Sequence, residues 1–275
     1  MSRFLDEMAA GSAQRCAAAL VQESYAALER RAAAAEPPPP LRLSAGGFDV
    51  IAEIKLRSPA AGVLGQVSDD WLGRAAAYAT AGAAAVSILT EPSRFDGSLE
   101  HLAAAATRLR TQGVPVMRKD FLVDPYQVLE ARAAGAGGVL VILRMLTPEV
   151  LVRLLDTAAL HGLFVLLEAF DAADLGLAAR LLAARDNRRD VILVGLNCRD
   201  LQTLKVDFSR FAGLSPQLPA GYPAVAESGV AAPADARTVA QQGYRVALIG
   251  TALMGSEDPA LLLGEILSAG RTGPG

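Results

Sequence analysis

Eight short apolar runs, each ending in polar or charged residues, constrain the fold of this chain more than any other feature. They are Val50 to Ile54, Ala84 to Leu89, Val114 to Met117, Gly138 to Leu143, Leu163 to Leu167, Val191 to Leu196, Pro223 to Ala226 and Val246 to Ile249. The ends, in order, carry Glu53 and Lys55, Thr90 and Glu91, Arg118 and Lys119, Arg144, Glu168, Asn197 and Arg199, Glu227 and Ser228, then Gly250 and Thr251. Continuous rather than alternating runs mark strands covered on both faces, as in a parallel sheet. Ala-rich segments containing a late glycine, such as Ala75 to Ala83, Leu129 to Ala136 and Ala236 to Gly243, lead into three of the runs. Each reads as a helix with a glycine C-cap. Strand starts recur about every 25 to 35 residues, the length of one βα unit. Eight such units closing on themselves predict an α/β fold, a (β/α)8 TIM barrel with its site at the carboxyl ends of the strands. The glycines of Gly135-Ala136-Gly137-Gly138 precede their strand. They therefore do not form the dinucleotide fingerprint of a doubly wound sheet.

Length and charge narrow the reading further. The 275 residues give room for one barrel-sized domain or two smaller ones. Residues 41–270 are expected to form that single catalytic barrel. Residues 1–36 are expected to form a helical extension packed on it, helical from Ser2 to about Ala35, and Pro37-Pro38-Pro39-Pro40 reads as a stiff connector. No second catalytic domain is expected. A net charge of −3, from 26 basic and 29 acidic residues, offers no basic excess for nucleic acid or a membrane surface. The first residues lack an apolar signal core, and the longest apolar stretch, near Gly138 to Leu146, is about half a bilayer span. A soluble cytoplasmic protein is expected. Cys16 and Cys198 are the two cysteines and make no disulfide framework. No motif pairs His101 or His161 with Cys198, so a spectator thiol is favoured over a nucleophile.

The strand ends carry the chemistry. Glu53 and Lys55 fall on one side of their strand, with Ile54 opposite, as an acid–base pair tuned for proton transfer or a plain ion pair. Lys119 ends its strand among charges and could serve as a general acid or, if deprotonated, form a Schiff base. Arg118 and Asp120 are read as ion-pair locks on that loop. Glu168 closes an apolar run, and Glu227 supplies a second carboxylate. Glu227-Ser228-Gly229 and Gly250-Thr251 follow the last two strands, where barrels commonly hold phosphate on backbone N–H groups.

These residues sit in segments with a family resemblance. Ile51-Ala52-Glu53-Ile54-Lys55, Ser58-Pro59, Leu89-Thr90-Glu91-Pro92 through Phe95-Asp96-Gly97-Ser98-Leu99, Arg118-Lys119-Asp120-Phe121 through Asp124-Pro125-Tyr126-Gln127, Glu130 to Ala136, Gly195-Leu196-Asn197 with Arg199-Asp200-Leu201, and Glu227-Ser228-Gly229 resemble the indole-3-glycerol phosphate synthase family. The likeness runs in order from about residue 48 onward, and the N-terminal helix is similar to that family's extra helix over the barrel. The resemblance implies a step of tryptophan biosynthesis. In it 1-(2-carboxyphenylamino)-1-deoxyribulose 5-phosphate closes to indole-3-glycerol phosphate with loss of carbon dioxide and water, without metal or organic cofactor. It implies Glu53, Lys55, Lys119, Glu168, Asn197, Glu227 and Ser228 as the catalytic set. Ser58, Asn197 and Arg199 would hold the anthranilate carboxylate and nearby hydroxyls, and Phe95, Phe121 and Leu140 would shape the ring pocket. Lys55, Gly229, Gly250 and Thr251 would receive the phosphate. Which lysine serves which step stays open, and the chain is expected as a monomer or weak homodimer.

Departures from the family pattern are local. Ala60-Ala61 replaces the usual Ser-Lys, Ala169-Phe170 stands where Val-His is common, and Cys198 stands where a second Asn is frequent. The segment Asp171 to Asp190 is longer than usual, and its Arg185-Asp186-Asn187-Arg188-Arg189 reads as a solvated surface loop. Two rival readings are a sugar isomerase or Schiff-base aldolase acting through Lys119, and an inactive barrel kept as a scaffold.

Overall fold

The computed structural model describes residues 3–45, 47–58, 62–63, 70–185, 190–200 and 203–272. Eight parallel strands close into a barrel in sequence order: β1 (Asp49–Ile54), β2 (Ala85–Leu89), β3 (Val116–Lys119), β4 (Gly138–Ile142), β5 (Phe164–Ala169), β6 (Ile192–Asn197), β7 (Ala224–Glu227) and β8 (Val246–Ile249). β8 closes on β1, with Ile51 opposite Leu248. Every apolar run is thus a barrel strand. The third starts two residues late and reaches to Lys119, so Arg118 and Lys119 belong to the strand and not to the loop after it.

Strand periodicity sorts the side chains. Ile51, Met117, Leu140, Leu166, Leu193, Val225 and Leu248 pack together inside the barrel, while Val50, Ala52, Val86, Ile88, Val139 and Val141 pack outward under the helices. Two residues further along each inward row come Glu53, Lys119, Ile142, Glu168, Gly195, Glu227 and Gly250. The same alternation that fills the core with aliphatic groups therefore turns those residues into the mouth.

Twelve helices are named here: α1 (Arg3–Gln22), α2 (Tyr25–Ala34), α3 (Trp71–Thr80), α4 (Pro92–Phe95), α5 (Leu99–Leu109), α6 (Pro125–Ala133), α7 (Pro148–Leu160), α8 (Ala172–Ala183), α9 (Arg210–Leu214), α10 (Pro233–Gln241), α11 (Thr251–Gly255) and α12 (Pro259–Arg271). Their starts are chemically marked. Ser98 accepts from the His101 amide at α5, Asp124 from the Tyr126 amide at α6 and Asp171 from the Ala173 amide at α8. Pro125 occupies the first turn of α6, where its missing N–H costs nothing.

The N-terminal segment is two helices, not the one expected. Ser24 leaves the helical region at φ −64°, ψ 154° and turns its hydroxyl to the Ala27 amide, ending α1 and capping α2. A serine of this kind prefers a cap to a helix interior. α1 lies over the barrel mouth, where Leu5 and Met8 join the interior cluster. α2 packs on α6 through Leu28 and Ala32, against Tyr126 and Leu129. The prolines after α2 belong to neither helix nor strand, and Arg110 and Arg132 hold the carbonyls of Pro37, Ala35 and Glu36. Within the longer Asp171 to Asp190 segment, α8 takes up most of the length and Arg185 pairs with Asp156 and Asp190. Residues 186–189 lie outside the described residues. No described helix is long and apolar enough to cross a membrane.

Leu28 is fully buried between α2 and α6. Leu28→Ala is expected to lower the unfolding free energy by about 2–5 kcal/mol, read from a urea or guanidinium transition.

Candidate active site

The strand ends open into a cavity of about 630 Å³. Of the residues singled out in the sequence, Glu53, Lys55, Phe95, Lys119, Phe121, Leu140, Glu168, Asn197, Arg199, Glu227, Ser228, Gly229, Gly250 and Thr251 all line it. Ser58 pairs through its backbone with Gly62 in a short hairpin after β1. Its side chain and Pro59 to Ala61 lie outside the described residues.

A cluster of buried charge occupies the floor. Lys55 Nζ lies 3.0 Å from Glu53 Oε1. Lys119 Nζ sits between two carboxylates, 3.9 Å from Glu168 and 3.8 Å from Glu227. These last two distances are too long for hydrogen bonds, so the attraction is charge on charge. Burial works against the Lys119 ammonium, but Glu168, Glu227 and Glu53 outweigh it and push its pKa above the ordinary lysine value. Burial likewise opposes the Glu53 carboxylate, and Lys55 and Lys119 overcome it, holding Glu53 below the usual carboxylate range. Glu227 goes the other way. Burial and the neighbouring Glu168 raise its pKa well above the ordinary value against the pull of Lys119. Neither of its oxygens has a hydrogen-bond partner among the described residues. Lys119 is therefore an ammonium, Glu53 a carboxylate, and Glu227 the site's readiest holder of a proton.

Asn197 connects the acids to the β6 loop. Its Nδ2 donates to Glu168 Oε1 at 2.5 Å, and its Oδ1 accepts from the Arg199 amide at 2.9 Å. Arg199 in turn donates to the Leu204 carbonyl at 2.8 Å. At the opposite side, Ser228 and Gly229 follow β7 with φ 61° and 115°, a left-handed pair that costs the serine about 1–3 kcal/mol of backbone strain. Gly250 precedes the short helix α11, which starts at Thr251.

Two glycines make space for the acids. A Cβ on Gly195 would stand 2.0 Å from Glu227 Oε1, and one on Gly250 would stand 2.2 Å from Glu53 Oε1 and 3.0 Å from Lys55 Nζ. These two inward positions, bare of side chains, leave the carboxyls of Glu227 and Glu53 the room they occupy.

The remaining wall is apolar. Phe121 lies 5.8 Å from Phe4 in an edge contact and 6.2 Å from Phe95. Leu140, Ile142, Phe170 and Leu248 continue the surface. Phe4, Leu5, Ile142 and Phe170 were missing from the sequence reading. Ile142 and Phe170 follow Leu140 and Glu168 by two residues on inward rows, so strand parity could have found them. Nothing local in the sequence reveals Phe4 and Leu5, because helix docking brings them there.

Residues left without a role now have one. Arg144 pairs with Asp171 and, at 2.7 Å, with Asp174, and it stacks 4.8 Å over the Phe170 ring. Glu91 caps α4 by accepting from the Ser93 and Arg94 amides. Arg118 points outward and forms ion pairs with Asp120 at 3.1 Å and Glu130 at 3.0 Å, Asp120 standing at the rim of the cavity. Cys198 is buried, and burial pushes its thiol up to about 12, which rules out a thiolate nucleophile at neutral pH. Among the described residues no three His, Cys, Asp or Glu side chains are placed to hold a metal ion. A larger groove of about 1160 Å³ runs between α7 and α8, but no strand end opens into it and its Arg185 is already paired.

The model of the indole-3-glycerol phosphate synthase family matches residues 5–266. The chain belongs to the indole-3-glycerol phosphate synthase family. A Parafrankia sp. (strain EAN1pec) indole-3-glycerol phosphate synthase is 43% identical over 228 residues, spanning 83% of this chain and 81% of its own. The Kineococcus radiotolerans enzyme is 42% identical over 82% of this chain and 77% of its own, and that of Mycobacterium tuberculosis 39% identical over 82% and 78%. Among solved structures, 3-hexulose-6-phosphate synthase from Salmonella typhimurium superposes with a TM-score of 0.62 at 14% identity, covering 81% of this chain and 98% of that one. That likeness reports the barrel alone, whereas the synthase family membership covers the strands that build the floor.

Gly195→Ala is expected to displace the Glu227 carboxyl and cut turnover by about tenfold or more, the effect of misplacing a group by an ångström. Its thermal unfolding midpoint should change little, since the strand backbone admits alanine. Steady-state kinetics alongside calorimetry checks both halves.

Proposed function

We propose that this cavity converts 1-(2-carboxyphenylamino)-1-deoxyribulose 5-phosphate to indole-3-glycerol phosphate, with release of carbon dioxide and water. The observation that carries the reading is Lys119, an ammonium 3.8–3.9 Å from Glu168 and Glu227 beside a wall of phenylalanines.

Ring closure joins the carboxyl-bearing aromatic carbon to the ketone carbon, and the carbonyl oxygen takes up negative charge. Lys119 protonates that oxygen, and its raised pKa keeps the proton available through neutral pH. Loss of carbon dioxide from the same ring carbon leaves its bonding electrons there. Dehydration then removes one proton and expels the new hydroxyl as water. Glu168, oriented by Asn197, is placed as the base, and Lys119 or Lys55 returns a proton to the leaving oxygen. Glu53 holds Lys55 in place, and Glu227 offsets the charge of Lys119.

The substrate's two ends find different surroundings. The aryl ring fits between Phe4, Phe95, Phe121 and Leu140, and Arg199 faces its carboxylate. The phosphate is assigned to Gly229, Gly250 and Thr251 after β7 and β8, with Lys55 beside them. A Schiff-base aldolase is the poorer reading, because a lysine held as ammonium has no lone pair with which to attack a carbonyl.

Absorbance or fluorescence of an indole product, formed from the carboxyphenylamino sugar phosphate, tests the proposal. A folded sample that binds this compound without turning it over would overturn it, as would a borohydride-trapped adduct on Lys119. Lys119→Ala and Glu168→Gln should each lower kcat by about 10²–10⁴-fold with much smaller changes in substrate affinity. The sign of the pH effect is also fixed. Removing a carboxylate beside Lys119 lowers that lysine's pKa, so Glu227→Gln should move the alkaline limb of the rate profile to lower pH.

A further inference from the structure

A charged side chain on α1 ties together the loops that present the two pocket phenylalanines, although it does not itself line the cavity. Arg15 Nη2 lies 2.7 Å from Asp120 Oδ1, and its Nη1 lies 3.5 Å from Glu91 Oε1. Both acids are buried, with side chains 1% exposed. Each acid organises the backbone next to one ring. Asp120 accepts from the Phe121 amide at 2.8 Å, from Thr90 Oγ1 at 2.8 Å and from Arg118 at 3.1 Å. Glu91 accepts from the Ser93 and Arg94 amides at 2.9 and 2.7 Å, and so starts the turn that ends in Phe95. One guanidinium thus joins the ends of β2 and β3 beneath Phe95 and Phe121.

The same helix carries the third ring. Phe4 stands eleven residues before Arg15 on α1 and meets Phe121 at 5.8 Å. Eleven residues of helix span about 16 Å and behave as a stiff rod. A pin at Arg15, acting together with buried Leu5 and Met8, therefore sets the height and roll of Phe4 over the cavity. The rest of the helix has other attachments: Gln127 Nε2 donates to Ser12 Oγ at 2.8 Å, and Tyr126 Oη donates to the carbonyls of Ala19 and Glu23. Those contacts hold α1 on α6 and do not touch the aromatic wall. Arg94 and Glu7, 3.6 Å apart and half-exposed, add a weaker link at the same end.

We propose that Arg15 is a positioning residue for substrate recognition, bridging Asp120 and Glu91 so that Phe4, Phe95 and Phe121 close around the aryl group. It acts on ring binding and not on proton transfer, because Arg15 pairs with Asp120 and Glu91 while Lys119 pairs with Glu168 and Glu227. The inference rests on the proposed reaction for its substrate, and on geometry alone for the pin.

Arg15→Gln should raise KM for the carboxyphenylamino sugar phosphate about tenfold, with kcat held within about twofold, as expected for loss of uniform binding. Arg15→Lys, which keeps the charge, should recover most of the affinity. In a Phe4→Ala background, already weakened in KM, Arg15→Gln should add less than about a further twofold, since residues acting through one another are not additive. A readout that needs no turnover is amide exchange. Arg15→Gln should speed exchange at residues 3–10 and leave residues 16–22 protected, with unchanged far-ultraviolet circular dichroism. An unchanged exchange pattern, a fall in kcat at constant KM, or an equal Arg15 effect with and without Phe4 would each overturn the proposal. An inactive wild-type enzyme whose exchange responds as described would instead sink the assigned reaction and leave the pin standing.

Discussion

An ammonium ion kept out of water is costly unless opposite charge surrounds it, and the mouth of this barrel is organised around meeting that condition for Lys119. Glu168 and Glu227 approach it from β5 and β7, and Glu53 adds its field from β1. Because no one strand can supply three acids to one point, the arrangement requires a closed sheet whose inward rows converge. The acids then need their own management. Lys55 covers Glu53, Asn197 holds Glu168, and Glu227 is left as the group that most resists ionisation. The surroundings thereby separate carboxyls of one chemical type by how readily each ionises.

Much of this was legible in the sequence because the period of a strand is two. Once Ile51, Met117 and Leu166 are inward, Glu53, Lys119 and Glu168 must be inward too. The barrel followed from unbroken apolar runs, and Gly229, Gly250 and Thr251 after the last two strands line the cavity as that reading expects. The residues that escaped notice fall into two kinds. Ile142 and Phe170 obey the same parity and look like ordinary core in a linear reading. Phe4 and Leu5 reach the cavity through the docking of α1, a contact between residues over a hundred positions apart, as in the bond from Gln127 to Ser12. The break at Ser24 escaped for another reason: a single cap interrupts an Ala-rich stretch whose neighbours all favour helix.

The two faces of β3 divide the labour. Inward Lys119 meets the acids of the cavity floor, while outward Arg118 and neighbouring Asp120 join the strand to α6 and α1 through Gln127, Glu130 and Arg15. The buried ammonium is thus carried by a backbone whose other side is locked by ion pairs. An isolated buried pair adds little stability, and here its chief effect is to fix where the strand ends.

Gly195 and Gly250 carry a consequence for anyone who would make this barrel sturdier. Replacing strand glycines by alanine is a routine stabilising device, because it narrows the unfolded ensemble without burdening an accommodating backbone. At these two positions the backbone would comply but the neighbouring carboxyls would have to move, since the added methyl falls on atoms of Glu227 or Glu53. The room that the acids occupy is therefore bought with chain entropy, and the barrel's tolerance to heat and its capacity for catalysis pull against each other at two identifiable carbons.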